Sequence, residues 1–226
     1  MIVLANSRKL GNRCLAGINP ETGEWIRPVH TMRKLKLYGS GDLWAYVEPK
    51  EDGGVDERLM RKKLGKLPKL LDIIDIPLEE TGPDFGVQPE NREIEEGEWS
   101  LIGRSEIGDL DEYVEKSEFI LHNNERALSP NKAREKLPTL QLIKTEGFKI
   151  YQDEEKKRFR LRGIIQPQGL DLPITDIEYE ERIRHKGEYQ EHCFLTVSLG
   201  ELFEERQLHY KLIAGVIEIE GEDSNG

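Results

Sequence analysis

The sequence has few of the residues that build covalent or metal-held frameworks. Its 226 residues include only two cysteines, Cys14 and Cys193, which are too few and too far apart for a disulfide framework. The five histidines are scattered, and none has cysteine partners at the spacing of a zinc site. The P-loop, GxGxxG and HExxH patterns are also missing. The sequence therefore predicts no metal and no cofactor, and it nominates no catalytic residue.

Long apolar runs are missing as well. No run approaches the length that crosses a bilayer, and "MIVLANSRKL" has no basic region ahead of its short apolar stretch, as a signal peptide would. We therefore expect a cytoplasmic protein that does not interact with membranes.

Positive charge is scarce overall but concentrated locally. The net charge is −11, yet residues 1–37 hold seven Lys or Arg against two Glu, and residues 71–120 hold sixteen acids against three bases. An acidic total argues against avid, non-specific binding to nucleic acid. A basic face on an acidic body remains compatible with a confined anion site.

Short runs with β-branched and aromatic residues recur along the chain and predict many strands. "RCLAGIN" and "EWIRPV" flank "NPETG", in which Pro20 and Gly23 suit a hairpin turn. A short helix is expected within 109–121, and a second one begins after Ser129, an N-cap residue followed by Pro130. The pattern favours a mainly β fold with two OB-like antiparallel β-barrels, short helices and charged loop insertions. The predicted boundaries are 1–85 for the first barrel, 86–137 for a connecting segment, 138–220 for the second barrel and 221–226 for a disordered tail.

Six segments, in order, carry a resemblance to a known family: "NSRKLGNRCLAGINPETGEWIRPV", "GVQPEN", "PTLQLIK", "LDLPITD", "CFLTVSLGEL" and "YKLIAGVIE". They resemble the bacterial dual OB-containing domain family, which is found in loci linked to defence against phage. The resemblance implies two OB-like barrels that bind nucleic acid or a nucleotide, with no catalytic residues to carry over. The insert "EDGGVDERLMRKKLGKLPK" departs from the family pattern and could alter one rim of the first barrel.

The N-terminal hairpin is the predicted binding surface. Trp25 and Arg27 share one side of a regular strand, where an exposed ring would stack on a base and the cation would hold a phosphate. The competing interpretation puts Trp25 in the core and Arg27 at an edge. The predicted site comprises Ser7, Arg8, Lys9, Arg13, Trp25 and Arg27, with Lys34, Arg160 and Arg162 as further phosphate contacts.

Three other segments offer weaker candidates. Trp44 and Tyr46 could form a second stacking platform, or lie in a strand buried on both faces. Asp171 and Asp176, with the nearby acids Glu178, Glu180 and Glu181, could hold a divalent cation, although an aspartate after threonine more often caps backbone N–H groups. "SLGEL" (198–202) could offer amides to an anion, although a tight turn is the commoner cause of such a pattern.

These observations predict a non-catalytic module that binds single-stranded nucleic acid or a nucleotide, as an accessory component of a bacterial defence system. An alternative is an adaptor whose acidic surface docks a protein partner. A metal-dependent hydrolase or nuclease is a third reading, less favoured.

Overall fold

The computed structural model describes residues 1–9, 12–31, 34–36, 44–46, 53–135, 138–154 and 158–220, with the backbone alone at Lys9, 34–36 and 44–46. The predicted disordered tail, 221–226, lies outside these residues. The strands are β1 Ile2–Lys9, β2 Asn12–Ile18, β3 Trp25–Val29, β4 Lys34–Lys36, β5 Trp44–Tyr46, β6 Asp72–Asp75, β7 Asn91–Glu93, β8 Ser100–Arg104, β9 Ala127–Leu128, β10 Leu140–Thr145, β11 Lys149–Gln152, β12 Leu161–Ile165, β13 Leu170–Pro173, β14 Cys193–Phe203 and β15 Leu208–Glu218. The helices are α1 Glu57–Leu64, α2 Pro130–Ala133, α3 Ile177–Lys186 and a 3₁₀ helix, Ile107–Tyr113.

The first barrel is built on a six-stranded sheet with the order β7-β3-β2-β1-β6-β8. Its opening hairpin confirms the predicted turn: Gly23 donates its N–H to the Asn19 carbonyl at 2.8 Å and has a φ of 73°, which glycine adopts without a Cβ clash. Ile18 is paired with Trp25 across the hairpin. This pairing fixes which side of β3 each later residue faces.

The second barrel consists of one sheet with the order β10-β14-β15-β9 and another with the order β11-β12-β13. A parallel bridge between Ile174 and Ile213 joins the two sheets. Helix α3 follows β13 and ends at Gly187, whose φ of 74° closes it in the left-handed conformation. The fold is therefore mainly β with two OB-like barrels and short helices, as the sequence predicts.

The two barrels pack directly against each other along β1 and β15. Thr196 donates its hydroxyl to the Leu4 carbonyl at 2.7 Å, and a Cβ on Gly215 would lie only 2.1 Å from that same oxygen. Leu4 packs with Leu142 and Phe194 in one buried cluster. These contacts hold β1 of the first barrel against β14 and β15 of the second.

Two details differ from the predicted organisation. Segment 86–137 is not a separate connector, because it contributes β7 and β8 to the first sheet and β9 to the second. Its second helix is confirmed, with the Ser129 hydroxyl accepting from the Lys132 N–H. "SLGEL" is not a turn: β14 continues through it to Phe203, and the buried Ser198 hydroxyl accepts a hydrogen bond from Arg27.

Candidate functional site

A cleft of about 360 Å³ opens beside the contact between the two barrels. One wall comes from the first barrel, at the middle of β1, the loop before β6 and the end of β8. The other comes from the second barrel, at the start of α3 and the end of β15. The lining residues are Asn6, Lys69, Leu70, Arg104, Asp176, Glu178, Tyr179, Arg182, Val216 and Glu218. The cleft therefore depends on both barrels being in place.

Asn6 is the most informative residue of this lining. It is 2% exposed, and its Nδ2 donates to the Pro68 carbonyl at 2.7 Å, which fixes the orientation of the amide. Its Oδ1 has no hydrogen-bond partner among the described residues. A buried acceptor without a partner costs about 1–3 kcal/mol, and a group that donates to it recovers that cost. Asn6 therefore combines a place in the cleft lining with a buried acceptor that has no partner among the described residues, which suits a ligand with an N–H or O–H group.

Three cations line the same cleft. Lys69 is exposed, and its ammonium group forms no ion pair within the part of the chain that the structure describes. Arg104 is half-exposed and uses one nitrogen, Nη1, to contact Asp72 at 3.2 Å. Arg182 contacts Glu218 at 2.6 Å and lies over the Tyr179 ring. Lys69 and Arg104 thus retain donors for an anion at the mouth of the cleft.

Asp176 forms the buried end of the cleft and caps α3. Its carboxylate accepts from the backbone N–H groups of Tyr179 at 3.0 Å and Val216 at 3.1 Å. Burial raises the pKa of Asp176 from its ordinary value of 3.8 to about 6, although these two N–H donors lower it in part. The capping interpretation of Asp176 is therefore the one that the structure supports.

A charge cluster lies behind the cleft on α3. Glu180 is 1% exposed and contacts Arg8 at 3.1 Å and Arg160 at 3.7 Å. Arg8 also donates its backbone N–H to the Thr175 carbonyl at 3.1 Å, so β1 is tied to the segment before α3. The structure brings the predicted residues Arg8 and Arg160 together, but as partners of a buried carboxylate.

Arg162 also forms an ion pair with a carboxylate of the chain. Its Nε contacts Asp171 at 2.8 Å, and the same carboxylate contacts Arg126 at 2.7 Å and accepts from the Tyr151 hydroxyl at 3.0 Å. Asp171 is therefore surrounded by cationic and hydroxyl donors, and Asp176 is committed to backbone N–H groups. Within the described ranges, no group of three His, Cys, Asp or Glu residues is arranged to hold a metal ion.

The prediction that Arg27 faces solvent, as part of a binding surface on the hairpin, is wrong. Arg27 is 1% exposed and lies in the interior, where Nη2 donates to the Thr139 and Ser198 hydroxyls at 3.3 and 3.2 Å. Thr139 in turn donates its hydroxyl to the buried Glu90 carboxylate at 2.9 Å. Trp25 is half-buried against core residues, and its Nε1 donates to Glu115 at 3.3 Å. The pairing register of β3 with β2 turns this side of the strand inward. The alternation of residues along β3 shows which of them share a side, but not which side faces the core.

Two further predicted residues are also buried. Ser7 is 4% exposed and is bridged to Asp176, while Arg13 is 7% exposed and contacts Glu57 on α1 at 2.6 Å. The segment "SRK" (7–9) lies within β1. The side chains of Lys9, Lys34, Trp44 and Tyr46 lie outside the described part of the structure.

The cleft was not predicted from the sequence, because the residues that line it come from five distant segments. Asn6 carries a detectable signal, since it directly follows the apolar run "MIVLA" in the predicted first strand, where a polar residue is unusual. The sequence gives no such signal for Lys69, Arg104 or Arg182, because exposed cations occur throughout the chain.

No helix within the described ranges is both long and apolar enough to cross a membrane.

Comparison with curated proteins finds no match, and neither does comparison with solved structures. A family model for the dual OB-containing domain matches residues 1–41 and 46–216. That match covers nearly all of both barrels, the α3 cap and the cleft lining except Glu218. The chain therefore belongs to the dual OB-containing domain family.

Proposed function

We propose that this protein is a binding module that holds one nucleotide unit, free or within a single strand, in the cleft between its two barrels. The observation that carries the proposal is the unpartnered Oδ1 of buried Asn6 in a cleft that Lys69 and Arg104 also line. The cleft volume of about 360 Å³ falls within the range of small-molecule sites. Membership of a dual OB family supports a binding role for the fold.

The chemistry of the lining matches the parts of a nucleotide. Every nucleobase offers an N–H or NH₂ donor to an acceptor such as Asn6 Oδ1. Leu70 and Val216 supply apolar surface for the base. Lys69 and Arg104 would contact a phosphate as charge-assisted donors. In this arrangement the cations position the ligand, and one hydrogen bond gives little sequence readout.

The acids in the cleft limit the affinity for simple anions. Glu178 and Glu218 line the same space and repel inorganic phosphate, but their oxygens are suitable acceptors for sugar hydroxyls. A ligand with a base, a sugar and a phosphate therefore satisfies the cleft better than phosphate alone. Within this proposal the chain performs no chemistry, and its role in a bacterial defence system is that of an accessory binding component.

Calorimetric titration with four probes tests the proposal: inorganic phosphate, adenosine, adenosine monophosphate and a short single-stranded DNA. We expect the monophosphate to bind more tightly than adenosine or phosphate. Neutralising one rim cation, in Lys69→Gln or Arg104→Gln, should weaken binding by about fivefold. Lys62→Gln, which removes an exposed cation of α1 that does not line the cleft, is the matched control and should bind like the unaltered protein.

The DNA probe distinguishes a free nucleotide from one within a strand. Tighter binding of the strand, with a salt dependence that both rim variants reduce, indicates a strand ligand. No binding of any probe at low salt, or equal losses in Lys62→Gln and Lys69→Gln, would refute the proposal.

A further inference from the structure

Strand β8 forms one edge of the first sheet as far as the structure describes the chain. It is the last strand in the order β7-β3-β2-β1-β6-β8, and among the described residues it is paired only with β6. All five of its residues, Ser100–Arg104, are exposed. Natural proteins usually protect such an edge with charge, proline or a covering segment, because its free N–H and C=O groups can pair with another chain.

This edge strand presents two large apolar side chains. Leu101 is 43% exposed and Ile102 is 65% exposed. The register shifts between Ile73, which is paired with Gly103, and Ile74, which is paired with Leu101. Ile102 is thus the extra residue of a β-bulge, a feature that redirects a side chain away from its regular direction.

A cavity of about 500 Å³ with a partly apolar lining lies next to the bulge. Ile102 is part of its lining, together with Ile26, Ile73 and Leu78. An edge strand and an adjacent cavity are the two elements of recognition by strand addition, in which the backbone gives affinity and a pocket receives alternate side chains.

The charge around this surface selects the partner. Glu21 and Asp75 also line the cavity, and residues 71–120, which include β6 and β8, have sixteen acids against three bases. A second copy of the chain would bring an equally acidic segment to the edge and would be repelled. A segment with apolar and basic residues in alternation would fill the cavity and neutralise the acids.

We propose that β8 docks an extended segment of a protein partner, with alternating apolar and basic residues, as an additional strand of the first sheet. This surface is separate from the nucleotide cleft except at Arg104, and the proposal does not depend on the cleft being occupied.

Fluorescence anisotropy with synthetic peptides tests this proposal. The probe is a labelled peptide of alternating valine and lysine, and its matched control alternates serine and lysine. We expect the first to bind and the second to bind at least about tenfold more weakly. Methylation of alternate backbone nitrogens of the valine peptide should abolish binding, because it removes the donors of one strand edge.

Variants locate the binding surface. Ile102→Thr keeps a β-branched residue but removes the apolar contact, and it should weaken binding at least about tenfold. Phe203→Thr is the matched control, since Phe203 is 45% exposed on the β14–β15 hairpin, and it should bind normally. Circular dichroism confirms that both variants are folded.

Equal binding of the two lysine peptides, or normal binding by Ile102→Thr, would overturn the proposal. So would a dimer in sedimentation experiments that Ile102→Thr dissociates, because the occupant would then be a second copy.

Discussion

The buried carboxyl of Asp176 predicts an unusual pH dependence of stability. Its pKa is about 6 in the folded protein, against an ordinary value of 3.8 that applies to the unfolded chain. Between these values the folded state holds a proton that the unfolded state has released. The free energy of unfolding therefore decreases as the pH rises from about 4 to about 6. A difference of about two pH units, at roughly 1.4 kcal/mol per unit, amounts to about 3 kcal/mol.

The substitution Asp176→Asn isolates this effect, because asparagine can still accept from the Tyr179 N–H but does not titrate. Denaturant unfolding of both proteins should be measured between about pH 4.5 and about pH 7.5. Of the full 3 kcal/mol, about 2 kcal/mol falls in this range. The free energy of unfolding of the variant, relative to that of the unaltered protein, should therefore increase by about 2 kcal/mol as the pH rises across this range. A constant difference across this range would refute the reasoning, because the two N–H donors and the helix dipole would then outweigh burial.

Two other substitutions test the packing. Gly215→Ala should destabilise the protein by about 3 kcal/mol, because the added Cβ would lie 2.1 Å from the Leu4 carbonyl oxygen. Gly108→Ala is the control: its Cβ meets no atom within 4 Å, so it should be close to neutral in the same unfolding experiment. Arg27→Met should lower the free energy of unfolding by about 3 kcal/mol. Thr139 links the buried Arg27 to the buried Glu90, and the substitution leaves the Glu90 carboxylate without that cation. Adding Glu90→Gln should recover most of that loss, and a double variant that shows simple additivity would contradict this explanation.

Much of the fold was predictable because it depends on local patterns. The turn at Asn19–Gly23 and the N-cap at Ser129 each follow from a few neighbouring residues. The contribution of 86–137 to both sheets was not predictable, since β7 is only three residues long and is paired in parallel with β3, far away in sequence. Short strands of this kind are specified by their neighbours in space.

Little of the cleft lining was predictable from the sequence. Sequence indicated a basic N-terminal region near β1, and the cleft does begin at Asn6, one residue before the predicted Ser7. The predicted cations nevertheless have internal partners, because Arg8 and Arg160 contact Glu180 and Arg162 contacts Asp171. Whether a cation faces a ligand or a buried acid depends on tertiary contacts, which the periodicity of a single strand does not contain.

The side-chain amide of Asn6 allows the most direct test of the central claim. In a ¹⁵N-labelled sample its NH₂ resonances can be assigned by comparison with Asn6→Ser, and they can be followed during titration with adenosine monophosphate. Binding in the cleft should shift them in step with the backbone signals of Leu70 and Val216, because the ligand donates to Oδ1 of the same amide. Unchanged Asn6 resonances at a nucleotide concentration that saturates other shifts would contradict the account, since the nucleotide would then bind elsewhere.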